Sequence, residues 1–318
     1  MTAARPSLGI VFPALAPVES LPGFAGDAEA KGFAELWLVE DCFLSGGLTM
    51  AATALAATER IAVGIGLLPA LMRNPALAAM EIATLARLHP GRIRIAFGHG
   101  VPAWMAQIGI TPRRRLTALG EVVASVRALL RGETVTVDGD AVHLDAVALD
   151  NPPDQVPPIV IGTIGPRGLR LAGGVGDGFL LNEGCGPEYV RWAIGEASAG
   201  RADGSPPPHR VAYAWARIDD DADAARAALE PSLRGWIEGG LYPAAYARAG
   251  VEDPAGPVDF AAVADAVAVH GDEAACVAAI ERFADAGATS LVLVPAGEDL
   301  GAQIERLAAG VLPVFAEA

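Results

Sequence analysis

Lysine is almost absent from this chain of 318 residues, which has a single lysine, Lys31, and only three cysteines. The cysteines lie far apart, so they form neither a metal-binding motif nor a disulfide framework. No apolar run reaches the roughly 18 residues that a transmembrane helix needs. Prolines interrupt the N-terminal sequence MTAARPSLGIVFPALAP, where a signal peptide needs a continuous apolar helix. These absences predict a cytoplasmic protein with reduced thiols and no membrane partner.

Positive charge is also scarce, since the formal net charge is −15. A nucleic-acid-binding protein needs a basic face for the phosphate backbone, so we expect no nucleic-acid partner. Apolar residues are plentiful at 52% of the chain. At this length about 75% of the unfolded surface can be buried, which leaves room for one α/β barrel or two smaller domains.

Short apolar runs alternate with helical segments along the chain. Eight runs have the length of buried strands: Leu8–Phe12, Glu35–Val39, Ile61–Leu68, Ile93–Phe97, Ile159–Ile161, Gly178–Leu181, Val211–Ile218 and Ser290–Val294. The alternation predicts a (β/α)8 TIM barrel in which residues 1–318 form a single domain. A doubly wound open sheet is the alternative.

Two segments interrupt the alternation. Residues 132–147 carry alternating apolar residues around the turn Asp138-Gly139, which predicts an inserted β-hairpin. Residues 239–269 follow no clear period, and we predict an irregular insertion with short helices.

The segment Ile61–Gly100 predicts a βαβ unit. Asn74 suits a helix N-cap and Pro75 the first helical position. We expect Leu77, Met80, Leu85 and Leu88 to form the apolar face of this helix.

Glycines mark the ends of both strands of this unit, in Gly64-Ile65-Gly66 and Gly98-His99-Gly100. Glycine permits close approach of a ligand to the backbone, and ligands bind at the carboxyl ends of parallel strands. These turns therefore indicate the floor of a binding site. His99 could donate to an anion, act as an acid, or cap its loop. The alternative for the second motif is an ordinary tight turn.

The loop from Gly162 to Gly168 follows the fifth strand and opens a helix at Pro166. Free amides at a helix N-terminus attract phosphate, and Thr163 and Arg167 could add side-chain donors. The loop lacks the Lys-Ser/Thr of a phosphate-binding P-loop and the dinucleotide pattern. Ordinary helix capping is the alternative.

Acidic residues follow the second strand. Asp41 could hydrogen-bond a ring N–H or act as a base, whereas Glu40 fits a solvated loop acid better. The run from Arg113 to Arg115 could cap a helix, face solvent, or meet an acidic cofactor tail. Ser45, Ser290 and the cysteines have no partnered base, so the sequence gives no case for nucleophilic catalysis, and it predicts no metal site.

The segment Val63–Ala96 resembles the luciferase-like oxidoreductases, especially their F420-dependent branch with methylenetetrahydromethanopterin reductase. The motifs that carry the resemblance are Gly64-Ile65-Gly66, Arg73-Asn74-Pro75-Ala76, Pro90-Gly91-Arg92, Phe97-Gly98-His99-Gly100 and the segment Ile161–Asn182. The likeness runs from Leu8 to about Val294.

The resemblance implies a (β/α)8 barrel with a cis peptide at Gly66–Leu67, on which a flavin-like ring rests. It also implies cofactor contacts along three segments and at Asp41. These contacts would come from Gly66, Leu67, Gly98, His99, Gly100, Gly162, Thr163, Ile164 and Gly165. Two departures weaken the match to the reductase: Val11 stands where it has a glutamate, and Cys42 where it has a histidine.

The sequence therefore predicts an oxidoreductase that uses coenzyme F420 for hydride transfer with an unidentified small-molecule substrate. Asp41 and His99 are the candidate catalytic residues. One alternative is an FMN-dependent monooxygenase supplied by a separate reductase. The other is a barrel that binds a flavin-like ligand without turnover. The resemblance also implies a homodimer.

Overall fold

The computed structural model describes residues 5–240, 243–251, 253 and 255–316. Its strands, in chain order, are β1 (Ser7–Val11), β2 (Glu35–Leu38), β3 (Ala62–Pro69), β4 (Ile93–Gly98), β5 (Val135–Asp138), β6 (His143–Val147), β7 (Ile159–Gly162), β8 (Gly178–Leu181), β9 (His209–Ile218), β10 (Val269–Gly271) and β11 (Ser290–Pro295).

Eight of these strands form a closed parallel barrel in the order β11-β1-β2-β3-β4-β7-β8-β9, and β9 pairs again with β11. Closure is visible in the register of the last pairs, since Leu181 of β8 lies beside Ala212 of β9, and Ala212 lies beside Leu291 of β11. The predicted (β/α)8 barrel is confirmed, and the open sheet is excluded. The assignment of residues 1–318 to a single domain stays a prediction.

The strands are buried on both faces, which explains their continuous apolar sequences. Side chains inside the barrel form their own cluster: Val11, Trp37, Ala96, Val160, Leu180, Val211, Tyr213 and Val292. The larger core lies between the outside of the barrel and the helices. The floor of any site at the barrel mouth is therefore a packed interior.

The helices are α1 (Leu21–Ala30), α2 (Gly47–Ala56), α3 (Pro75–Leu88), α4 (Pro102–Gln107), α5 (Arg115–Leu130), α6 (Pro166–Val175), α7 (Pro187–Ala199), α8 (Ala222–Glu238), α9 (Pro243–Arg248), α10 (Phe260–Val267), α11 (Glu273–Asp285), α12 (Leu300–Arg306) and α13 (Leu312–Phe315). Side-chain caps fix several starts: Asn74 accepts from the amide of Ala76, and Asp272 from that of Ala275. Pro231 lies inside α8.

The predicted apolar face of α3 is wrong. Leu77, Met80 and Leu88 are 47%, 57% and 67% exposed, whereas Leu85 is buried. The helix packs on the barrel with a different face, formed by Ala78, Ala79, Ile82, Ala83, Leu85 and Ala86. Alanines let the helix approach the sheet closely, so the smaller apolar residues decide which side faces inward.

The two insertions have defined structure. Strands β5 and β6 form the predicted antiparallel hairpin within residues 132–147. Between 239 and 269 the described residues contain α9 and α10, as expected, but β10 then pairs with the end of β9, which the sequence analysis missed. At the C-terminal end, α12 continues through a π-helical segment, Leu307–Val311, into α13.

Candidate functional site

A cavity of about 560 Å³ opens at the carboxyl ends of the barrel strands. Nine predicted site residues line it: Asp41, Gly66, Leu67, His99, Gly100, Gly162, Thr163, Ile164 and Gly165. Gly98 lies in the wall of a smaller side cavity of about 200 Å³, which shares His99 and Arg115 with the larger one. The structure therefore brings the strand-end motifs together in one place, although Asp41 and Gly165 are 124 positions apart in the chain.

The third barrel strand has an irregular centre. The pairing of β3 with β4 shifts register between Ile65 and Leu68, and the peptide bond Gly66–Leu67 is cis, as the resemblance implied. A Cβ on Gly66 would collide with the hydroxyl of Tyr213 and would lie 2.9 Å from Leu180. The bare backbone at Gly66 therefore packs directly against the barrel interior.

Leu67 explains two of the predicted glycines. Its side chain fills the space in which a Cβ on Gly98 or on Gly162 would stand. These glycines thus make room for a neighbouring side chain, so close approach of a ligand is not the sole reason for their small size.

The loop Gly162–Gly165 leads into α6, whose N-cap is Gly165 and whose first residue is Pro166. Gly165 has no side chain with which to cap the first-turn amides. A Cβ on Gly168 would collide with the hydroxyl of Thr163, so Thr163 turns back onto the first turn. This loop is a bare helix N-terminus beside the cavity, a geometry that attracts anionic groups.

The two predicted catalytic residues are both partly buried in the cavity wall. Burial raises the pKa of the Asp41 carboxyl. Burial, together with the charge of Arg115, lowers the pKa of His99 to about 4. His99 is therefore a neutral imidazole near pH 7, which can donate or accept a hydrogen bond but is a poor source of a proton.

Glu40 is not the solvated acid that the sequence suggested. Only 7% of its surface is exposed, and its carboxylate accepts bonds from Arg73 Nη1 at 2.6 Å, Arg73 Nη2 at 2.7 Å and the Gly47 amide at 2.6 Å. This bidentate pair ties the Arg73-Asn74-Pro75-Ala76 motif to the end of β2. Glu40 is thus fully engaged in holding the mouth together.

Among the cavity-wall residues that sequence reasoning missed, three have side chains suited to contact a ligand. Glu183 lies in the loop after β8, Tyr213 in the middle of β9, and Trp236 near the end of α8. Tyr213 and Trp236 resemble ordinary core residues in the sequence, and Glu183 stands in no recognisable motif. Arg115, for which a contact with a cofactor tail was one of three possibilities, also lines the cavity.

The two residues that depart from the reductase pattern, Val11 and Cys42, lie at the end of β1 and in the loop after β2. Val11 is buried in the barrel-interior cluster, so β1 presents no carboxylate at that position. Cys42 is buried with its sulfur 3.7 Å from that of Met72, and it precedes a second cis peptide, Cys42–Phe43, that the sequence analysis did not predict. The described residues contain no cluster of three or more metal-ligating side chains.

Comparison with known proteins gives a consistent result. The profile of the luciferase-like monooxygenase family matches residues 4–290. A 5,10-methylenetetrahydromethanopterin reductase of Methanolobus tindarius is 31% identical, covering 94% of this chain and 96% of the relative. An F420-dependent glucose-6-phosphate dehydrogenase of Beutenbergia cavernae is 32% identical, covering 82% and 80%.

Among solved structures, an F420-dependent secondary alcohol dehydrogenase in complex with an F420-acetone adduct superposes with a TM-score of 0.82 at 25% identity. The match covers 98% of this chain and all of that one. In the part of the chain that the structure describes, no helix is both long and apolar enough to span a bilayer.

Proposed function

The chain belongs to the luciferase-like monooxygenase family and is an oxidoreductase, and we propose that it transfers hydride between coenzyme F420 and a small organic substrate. The observation that carries this proposal is the F420-dependent glucose-6-phosphate dehydrogenase that is 32% identical over 82% of the chain, and the F420-dependent alcohol dehydrogenase structure supports it. The departures at Val11 and Cys42 support a substrate other than methylenetetrahydromethanopterin.

The cavity suits a flat tricyclic cofactor. Its volume of about 560 Å³ lies within the usual range of about 300–1,000 Å³ for small-ligand sites. Gly66 and Leu67 form one wall, and the loops at Gly98–Gly100 and Gly162–Gly165 form others. The hydroxyl of Tyr213 has no partner among the described residues and is one polar group that a ligand could satisfy. The residues present therefore fit a deazaflavin.

Each part of the wall would have its own task. The backbone at Gly66–Leu67 would support one face of the ring, and Asp41 would accept a bond from a ring N–H. The bare N-terminus of α6 and Arg115 would hold the anionic tail. When bound, F420 supplies hydride chemistry at its C5 atom, whereas the protein orients the ring and excludes water from the reacting face.

Expression in a host that makes F420 tests this proposal. We expect F420 to co-purify with the protein, identified by its visible absorbance and mass. Anaerobic oxidation of reduced F420 by a substrate panel would then locate the reaction. If FMN co-purifies instead, and reduced FMN drives oxygen uptake, the protein is a two-component monooxygenase with a separate reductase. Binding of either cofactor without any turnover would point to a non-catalytic barrel.

We also propose that the protein is a homodimer, with the outer face of α3 as part of the interface. Leu77, Met80 and Leu88 lie on one side of that helix and are exposed. A stripe of large apolar side chains on a helix is stabilised when a second copy covers it. Met80→Glu should shift the mass in solution from dimer to monomer, whereas Val314→Glu on α13 should not. A monomeric parent protein would contradict the proposal.

A further inference from the structure

Six ionisable side chains line the candidate cavity. They differ in whether another described residue holds them by a hydrogen bond or an ion pair. The six are Glu40, Asp41, His99, Arg115, Glu183 and Tyr213. Glu40 is held by Arg73 and the Gly47 amide. Tyr213 has its hydroxyl buried with no partner among the described residues.

Glu183 differs from Tyr213 in its position and in its charge. It is the second residue after β8, so it lies at the carboxyl end of a barrel strand, where catalytic groups of this fold are found. Within the described part of the chain, no cation lies within ion-pair distance of its carboxyl group or of that of Asp41. An unpaired carboxyl group in a cavity wall, partly shielded from water, is costly for stability and is typical of a functional site.

The environment of Glu183 favours the protonated acid. Burial has the largest effect and raises the pKa of the Glu183 carboxyl; a hydrogen bond from its own backbone amide lowers it, and the nearby charge of Asp41 raises it. Burial and then the charge of Glu183 raise the pKa of Tyr213, so the three groups influence one another across the cavity. His99 has the opposite tendency, because its pKa of about 4 leaves it as the neutral imidazole near neutral pH.

We propose that Glu183 is the acid–base residue of this site, because its carboxyl group lines the cavity at the end of β8, and that Asp41 in the same wall positions it. This inference rests on the proposed F420-dependent function. In the reductive direction, the carbon of a substrate C=O or C=N bond would receive the hydride that bound, reduced F420 supplies. Its oxygen or nitrogen takes the proton of the Glu183 carboxyl group, and the π electron pair of the double bond forms the new bond to that proton. The Glu183 carboxylate then regains a proton from solvent at the barrel mouth.

The oxidative direction runs through the same groups. The deprotonated form of Glu183, which the raised pKa makes the better base, would remove the proton of a C–OH or C–NH group, and bound, oxidised F420 would take hydride from the carbon. General acid–base catalysis by one positioned carboxyl group contributes about 10²- to 10⁴-fold to a rate. Asp41 acts through Glu183 in this scheme and is a positioning residue.

The first measurement uses the ligand-free full chain, so it does not depend on the cofactor. Carboxyl ¹³C NMR on protein labelled in glutamate should contain one signal that titrates above the ordinary glutamate range and disappears in Glu183→Gln. Asp41→Asn should move that titration to lower pH, because a neighbouring negative charge is lost. Glu188→Gln, an exposed acid in the first turn of α7, is the matched control and should leave it unchanged.

The second measurement follows anaerobic oxidation of reduced F420 with acetone and with 1-pyrroline as probes. Take the probe that the parent protein reduces: Glu183→Gln should lower the rate of its reduction by about 10²- to 10⁴-fold. The Kd for F420 should stay within about threefold. The rate of Glu183→Asp should be at least about tenfold higher than that of Glu183→Gln, since it restores a carboxyl group. A Glu183 carboxyl group that titrates in the ordinary range, or full turnover in Glu183→Gln, would overturn the proposal. If the parent protein binds no F420, the proposed function fails, and the titration alone decides about the carboxyl pair.

Discussion

The side chain of Leu67 occupies the space that a Cβ on Gly162 would need, although the two residues lie on different strands of the barrel. Gly98 faces the same side chain from β4. Leu67 is thus enclosed by two backbones that have no side chains of their own, and its position sets the shape of the cavity floor.

Gly162→Ala should therefore destabilise the ligand-free protein by about 1–3 kcal/mol, the usual cost of overpacking a close-fitting site. Equilibrium urea unfolding measures this change. Gly165→Ala is the control in the same loop, because nothing lies within 4 Å of the added methyl group, and it should change stability by less than about 0.5 kcal/mol. Adding Leu67→Ala should relieve part of the Gly162→Ala cost. Strict additivity of the two changes would show that they do not contact each other.

The hydroxyl of Tyr213 predicts an unusual combination of effects. It is buried without a partner among the described residues, so Tyr213→Phe should leave the ligand-free stability unchanged or raise it. The same variant should weaken F420 binding by about 2- to 12-fold if the ligand satisfies that hydroxyl. Tyr189→Phe is the matched control. Its hydroxyl donates to the Ile164 carbonyl, so its loss should cost about 0.5–1.5 kcal/mol in thermal or urea unfolding. Equal losses of stability in both variants would contradict this account.

Much of the fold followed from the sequence because the signals were local. Apolar runs of strand length alternating with capped helices predicted the barrel, and Asp138-Gly139 predicted the hairpin. The buried face of α3 did not follow, because hydrophobicity alone ranked Leu77, Met80 and Leu88 above the alanines that pack on the barrel. Close packing on a sheet depends on the size of a side chain as well as on its polarity.

The site was predictable where it is built from strand-end glycine motifs and not where it is built from single side chains. Tyr213 lies on a strand that reads as uniformly buried, and Trp236 lies late in α8, so neither has a local signal. Glu40 and Asp41 are adjacent in the chain, yet only Glu40 meets Arg73. That contact joins segments 33 positions apart and becomes visible only when the chain is folded.

The Arg73–Glu40 pair yields a stability prediction. Arg73→Met should destabilise the protein by about 3–5 kcal/mol, because it leaves a buried carboxylate without its partner. Replacing both residues with apolar ones of similar size should cost less than this single change. Arg60→Ala removes a cation that is 73% exposed and 3.8 Å from Glu29, and it should cost at most about 1 kcal/mol in the same urea titration. Comparable losses from both single changes would show that burial of the Arg73 pair is unimportant.

His99 predicts a pH dependence with a defined sign. Its pKa falls from an ordinary 6.5 to about 4 in the folded protein, mainly through burial. As the pH falls, His99 therefore takes up a proton in the unfolded chain before it does so in the folded protein. Protonation of the unfolded chain lowers the free energy of unfolding between pH 6.5 and about 4. His99→Gln should flatten the curve of unfolding free energy against pH in that window. Arg115→Gln should raise the pKa of His99 in an NMR titration, since it removes a neighbouring cation. An unshifted His99 titration would contradict this prediction.

Equilibrium binding tests most directly whether the cavity beside Gly66 and Leu67 holds a deazaflavin. Fluorescence titrations of the purified ligand-free protein with F420 and with FMN, in the same buffer, compare the two cofactors on equal terms. We predict saturable micromolar or tighter binding of F420 and much weaker binding of FMN, with the F420 affinity reduced in Gly162→Ala. Micromolar binding of FMN with no binding of F420 would contradict the account.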